Sequence, residues 1–133
     1  MSAIYQKPGH ITVSHNAAKN YILFDWQSFR VTIEEITTLH TQALDVAKQH
    51  SCYHYVAETS RVTNALRQDV VAWFGGTWMP TLAAYGLRAI VTVVPTSAIA
   101  MMSTSSWQRQ TVSGIDMINV GSLVDAESTL AKL

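Results

Sequence analysis

Arg88-Ala89-Ile90-Val91-Thr92-Val93-Val94 is nearly continuous in apolar and β-branched residues. A strand with one solvated face alternates, so an unbroken run of this length marks a strand covered on both faces. Strands of that kind sit in parallel sheets under packed helices. Just upstream, Gly86 is placed to end a helix in the left-handed conformation. That helix spans about Ala65 to Tyr85 and is irregular. Gly75-Gly76 lowers its propensity by about 1 kcal/mol per glycine, and Pro80 removes a backbone hydrogen bond and predicts a kink.

Working outward, Cys52 to Ala57 is rich in aromatic and β-branched residues and reads as a strand, and Glu58 to Asn64 is a polar connection with a helix N-cap expected at Thr63 or Asn64. Thr32-Ile33-Glu34-Glu35 is a capping box that opens a helix ending near His50. Ile33, Ile36, Leu39, Ala43, Leu44 and Ala47 give that helix its apolar stripe. Before it, Ile11 to Ser14 and Tyr21 to Trp26 read as a hairpin joined through His15 to Asn20. Downstream, Ser97 to about Thr111 reads as a Ser-rich helix, Ile115 to Val120 as a strand, and Ser122 opens a last helix with Leu123, Ala126, Leu130 and Leu133 on one face. The order β-β-α-β-α-β-α-β-α predicts an α/β fold. It is an open, mostly parallel sheet of about five strands with an N-terminal β-hairpin and about four helices.

The 133 residues suit one domain over 1–133, with no repeat and no linker rich in Gly, Pro or Ser. At this size about two-thirds of the unfolded chain's surface is buried, so the core needs no disulfide or metal. With 48% hydrophobic and only 14% charged residues, the composition excludes disorder. Nine basic against nine acidic side chains give a net charge of zero, which argues against a nucleic-acid partner. Low charge also leaves little to hold copies apart, so a homodimer is expected. The lone Cys52 allows no internal disulfide, and Met1 to Pro8 lacks the apolar run of a signal peptide. Ala89 to Met102 is too short, and too interrupted at Pro95, Thr96 and Ser97, for a membrane span. A cytoplasmic protein is the expectation.

Val71-Ala72-Trp73-Phe74, Thr77-Trp78-Met79-Pro80, Tyr85-Gly86-Leu87-Arg88 and the strand ending at Val94-Pro95 form one pattern. It resembles the SpoIIAA-like bacterial proteins of the STAS and CRAL-TRIO-like fold, and the similarity spreads from about Tyr21 to Leu133. The resemblance implies a non-catalytic module. STAS domains act as partner-binding regulators, some switched by phosphorylation of a serine, and CRAL-TRIO-like relatives enclose small lipids. This chain departs from the better-known members after its central strand. It has Glu58-Thr59-Ser60-Arg61-Val62 in place of an Asp-Ser-Gly-like turn, which weakens the expected switch.

Three constellations bear on chemistry. His50, Cys52 and His54 alternate as zinc-type ligands would, yet His50 and His54 would lie roughly 13 Å apart along a strand, too far for one ion. No metal and no cofactor is expected. Glu58, Thr59, Ser60 and Arg61 follow a central strand, where open α/β sheets bind ligands, and are candidates for a partner contact or a phosphate paired by Arg61 or Arg67. A solvated loop leading into a helix is the competing account. Trp73, Phe74, Trp78, Met79 and Tyr85 crowd one helix, and Met101, Met102 and Trp107 add apolar surface on the next. In α-helical spacing, Trp73 sides with Thr77 and Pro80, and Phe74 with Trp78 and Tyr85. One side is expected on the sheet, and the other lines a pocket, meets a second copy, or completes the core.

Enzyme templates are missing: no Gly-x-Ser-x-Gly, no His-Glu-x-x-His and no phosphate-binding glycine loop. Asp25 and Asp116 are single carboxylates, and His10, His15 and His40 have no partner visible in sequence. The expected function is a non-catalytic protein-interaction or regulatory module that self-associates. The alternative is a domain binding a small apolar ligand or lipid along helix 65–85.

Overall fold

Among the described residues, six strands form one sheet whose spatial order follows the chain: β1 (Ser2–Lys7), β2 (Ile11–Asn16), β3 (Tyr21–Trp26), β4 (His54–Glu58), β5 (Ala89–Val93) and β6 (Asp116–Val120). The computed structural model describes residues 1–109 and 114–133. β1, β2 and β3 are antiparallel, and β3 through β6 are parallel. The fold is thus the α/β class expected, with six strands in place of about five. The unforeseen strand is β1, none of whose residues is fully buried and whose register slips between Ala3 and Tyr5. Its pairing with β2 gives it its strand character, which its own composition does not.

Helix α1 (Ile33–Gln49) begins as the capping box requires. The Glu35 backbone N–H donates to Thr32 Oγ1 at 3.2 Å, and the Thr32 N–H donates to Glu35 Oε1 at 2.9 Å. Lys7 reaches the same carboxylate at 2.7 Å and fastens β1 to α1. The second helical stretch starts at Gln68, later than Ala65, with Arg67 as N-cap and no side-chain cap bond. Asn64 is diverted elsewhere: its Oδ1 accepts from the Phe29 N–H at 2.8 Å.

This stretch is α2 (Gln68–Trp73), a π turn (Phe74–Trp78) and α3 (Met79–Tyr85), closed by Gly86 at φ +97°. The sequence predicts a kink at Pro80; the helical stretch carries that π turn just before it. Pro80 cannot donate to the turn before it, and the widened turn, with Met79 N–H bonded to the Phe74 carbonyl, moves the chain past the defect. Helix α4 (Ala98–Gln108) follows β5, and its expected extension to Thr111 lies outside the described residues. Helix α5 (Leu123–Leu130) is capped by Ser122, which accepts from the Asp125 N–H, and leaves Leu133 exposed beyond its end.

Parallel crossovers that are right-handed and advance in one direction put their helices on one face. Accordingly α1, the α2–α3 stretch and α4 share a large core with Ile22, Phe24, Tyr55 and Ile90. On the opposite face Tyr21, Leu23, Val56, Val91 and Val93 pack with Ala126 and Leu130 of α5. β5 is buried at every residue, as its unbroken apolar run predicts. Among the described residues, no helix is long and apolar enough to cross a membrane.

Candidate functional site

Between the sheet and the helices of the larger face lies a cavity of about 40 Å³. Its floor is Phe24 and Trp26 of β3, Tyr55 and Ala57 of β4, and Ile90 of β5. Its roof is His40 of α1, Phe74 of the π turn, Met79 and Leu82 of α3, and Trp107 of α4. Phe29, Thr59 and Leu66 close the end toward which β3 and β4 point, the side where open α/β sheets bind ligands. The walls are aromatic because inward positions of β3 and β4 alternate with the opposite face, placing Phe24, Trp26 and Tyr55 toward the helices.

His40 is 5% exposed and sits among four aromatic rings. Its ring centroid is 4.9 Å from Phe24, 5.3 Å from Phe74, 5.3 Å from Trp78 and 5.6 Å from Trp73. Neither ring nitrogen has a hydrogen-bond partner among the described residues. Burial lowers its pKa to about 3, so the imidazole is neutral at pH 7. Tyr55 is 2% exposed, its ring lies 4.9 Å from Phe24, and its hydroxyl also lacks a partner among the described residues. Burial pushes that phenol well above its usual range. Three unpaired polar atoms, two on one imidazole, therefore belong to side chains of one aromatic cavity. Native interiors pair most such atoms, and each unpaired one costs about 1–3 kcal/mol.

The aromatic helix divides between this site and other tasks. Phe74 and Met79 line the cavity, as does Trp107. Trp78 is buried beside His40, and Trp73 is half-buried and stacked on it at 5.2 Å. The two indoles share a side, against the α-helical expectation, because the π turn adds a residue to the spacing. Tyr85 turns away: its ring stacks on Tyr53 at 5.3 Å and its hydroxyl bonds the carbonyls of Ala47 at 2.9 Å and Cys52 at 2.7 Å. Met101 and Met102 lie exposed on the outer side of α4. Beside Met102, with Ile99, runs a shallow groove of about 260 Å³ between α2 and α4.

Thr59 is 1% exposed and its hydroxyl donates to the Val93 carbonyl at 2.6 Å. Ser60 is half-buried, with its N–H on Glu58 Oε1 at 2.8 Å. Arg61 is bound to Asp25 at 2.8 Å, and Arg67 makes a two-pronged contact with Asp69, both bonds 3.0 Å. The loop after β4 thus brings Thr59 to the cavity and leaves Arg61 outside it. His50 stacks on His15 at 4.4 Å, while Cys52 is buried and its thiol is pushed up by burial. Among the described residues no group of three His, Cys, Asp or Glu side chains is arranged to hold a metal.

Sequence reasoning missed His40 and Tyr55 as site residues. A signal existed for His40: it falls four residues after Ile36 and three before Ala43, inside the buried stripe of α1. Tyr55 had none, because the Phe24 ring and the other cavity walls around it come from elements remote in sequence. No family model, curated protein or solved structure matches the chain.

Proposed function

We propose that the protein is a non-catalytic binding module that holds a small, largely apolar molecule in the cavity beneath α2–α3. The observation that carries this reading is the placement of His40 and Tyr55, buried and unpaired among the described residues, in a cavity otherwise walled by aromatic and aliphatic groups. Pockets for small molecules combine such walls with a few convergent polar groups. A binding role suits these groups better than catalysis. A histidine used for proton transfer works with a pKa near the operating pH and has one nitrogen oriented by a second group. His40 has neither feature among the described residues.

The test is native mass spectrometry of gently purified protein beside its denatured mass. A mass excess that disappears on denaturation is expected, and Ala57→Leu, which fills the cavity from β4, should abolish it with the circular dichroism unchanged. A bare mass for the wild-type protein would overturn the reading.

A second reading is association of two copies, supported by Ile99, Met101 and Met102, which are 57%, 37% and 71% exposed on α4. An exposed apolar cluster is a common feature of interaction surfaces. Sedimentation of wild-type protein against an Ile99→Glu, Met102→Glu variant checks it: a dimer converted to monomer is the supporting result, and a wild-type monomer overturns it.

A further inference from the structure

We infer that the cavity takes an uncharged molecule carrying a hydroxyl or similar group that both donates and accepts hydrogen bonds, seated against His40 and Tyr55. This rests on the ligand-binding reading above and narrows it to one chemical class. A neutral imidazole offers one donor and one acceptor, and a phenol hydroxyl offers both. A hydroxyl or amide on the ligand satisfies either group, whereas a purely apolar ligand leaves both buried and unpaired.

Charge is excluded by the walls. Among the described residues, no Lys, Arg, Asp or Glu lines the cavity. A carboxylate, phosphate or ammonium brought there would lose its hydration with no opposite charge to replace it. Size sets a further condition. The cavity of about 40 Å³ accommodates about three water-sized spheres, at roughly 10–15 Å³ each. A ring-sized ligand therefore has to displace part of the wall. The segment suited to yield is the π turn, where Gly75 and Gly76 separate Phe74 from Trp78. Glycine permits backbone rearrangement that a larger residue resists.

Phenol, toluene and benzoate separate these statements, titrated into the full chain and followed by tryptophan fluorescence, since Trp26 and Trp107 are in the wall. Phenol is expected to bind, toluene to bind roughly tenfold to a hundredfold more weakly, and benzoate not to bind. Tyr55→Phe and His40→Leu should each weaken phenol by about tenfold and leave toluene unchanged or tighter. Two variants guard against one of them failing to fold. Equal binding of phenol and toluene would overturn the hydroxyl preference and leave the ligand-binding reading standing. Benzoate binding as tightly as phenol would overturn the requirement for an uncharged ligand. If none of the three binds, the cavity holds water alone, and both the inference and the reading beneath it fall.

Discussion

The indoles of Trp73 and Trp78 stack at 5.2 Å with 12° between their planes, five residues apart on one helical stretch. In a regular α-helix, neighbours on one face are three or four residues apart. The π turn supplies the extra residue, and the stacked pair then roofs His40. Trp78 is 6% exposed and Trp73 is half-buried. Trp78→Ala is therefore expected to cost about 3–5 kcal/mol in urea denaturation, and Trp73→Ala distinctly less. Equal costs would mean that the pair does not cover the core as described.

Gly76 lies in that turn, has no left-handed φ, and a Cβ added there meets nothing within 4 Å. Alanine at this position should raise stability by about 0.5–1 kcal/mol, since it removes unfolded-state freedom at no steric cost. A higher urea midpoint with an unchanged slope is the expected result. If the turn must open to admit a ring-sized molecule, the same variant should also take up phenol more slowly.

His40 ties stability to pH. Its pKa is lowered from 6.5 to about 3 by burial, so between those values the unfolded chain binds a proton that the folded one refuses. Stability then rises with pH through this window and falls as pH drops below 6.5, by up to about 1.4 kcal/mol per pH unit. His54, lowered by burial and by Arg88, acts with the same sign. Glu35 is held down by Lys7 and Glu127 by Tyr21, so their contributions are lost only as pH falls through the carboxylate range. Denaturation midpoints between about pH 5 and 6.5 isolate the histidines. His40→Leu should flatten the slope there, and an unchanged slope would count against a neutral buried His40.

Tyr85 separates structure from binding. Its hydroxyl holds the carbonyls of Ala47 and Cys52, joining the end of α1 to α3. Tyr85→Phe is expected to lower stability by about 1 kcal/mol in thermal unfolding. Phenol uptake should be unaffected, because Tyr85 points away from the cavity.

What the sequence revealed and what it hid follow one physical division. The Thr32–Glu35 box, the buried run of β5 and the Gly86 cap are local devices, complete within a few residues, and each stands where its pattern predicts. β1 was invisible because Ser2–Lys7 becomes a strand only by bonding to β2, and its side chains carry no alternation to betray it. The π turn escaped because Gly75-Gly76 and Pro80 announce a defect without saying how the chain absorbs it. Phe74, Met79 and Trp107 were legible as candidates from aromatic and methionine crowding alone. His40 and Tyr55 were not, since their meaning lies in rings brought from β3, α2 and the π turn.

The order of strands along the sheet is the order of the chain, with none inserted between earlier neighbours. A nascent chain leaving the ribosome can therefore lay each new strand against a finished edge, without prising apart a pair already formed. One surface is left unfinished until late in that process. Val56, Val91 and Val93 stay bare on their side of the sheet until α5 arrives with Ala126 and Leu130. Synthesis halted before Ser122 would thus leave Val56, Val91 and Val93 without Ala126 and Leu130, an oily side open to aggregation and to capture by chaperones.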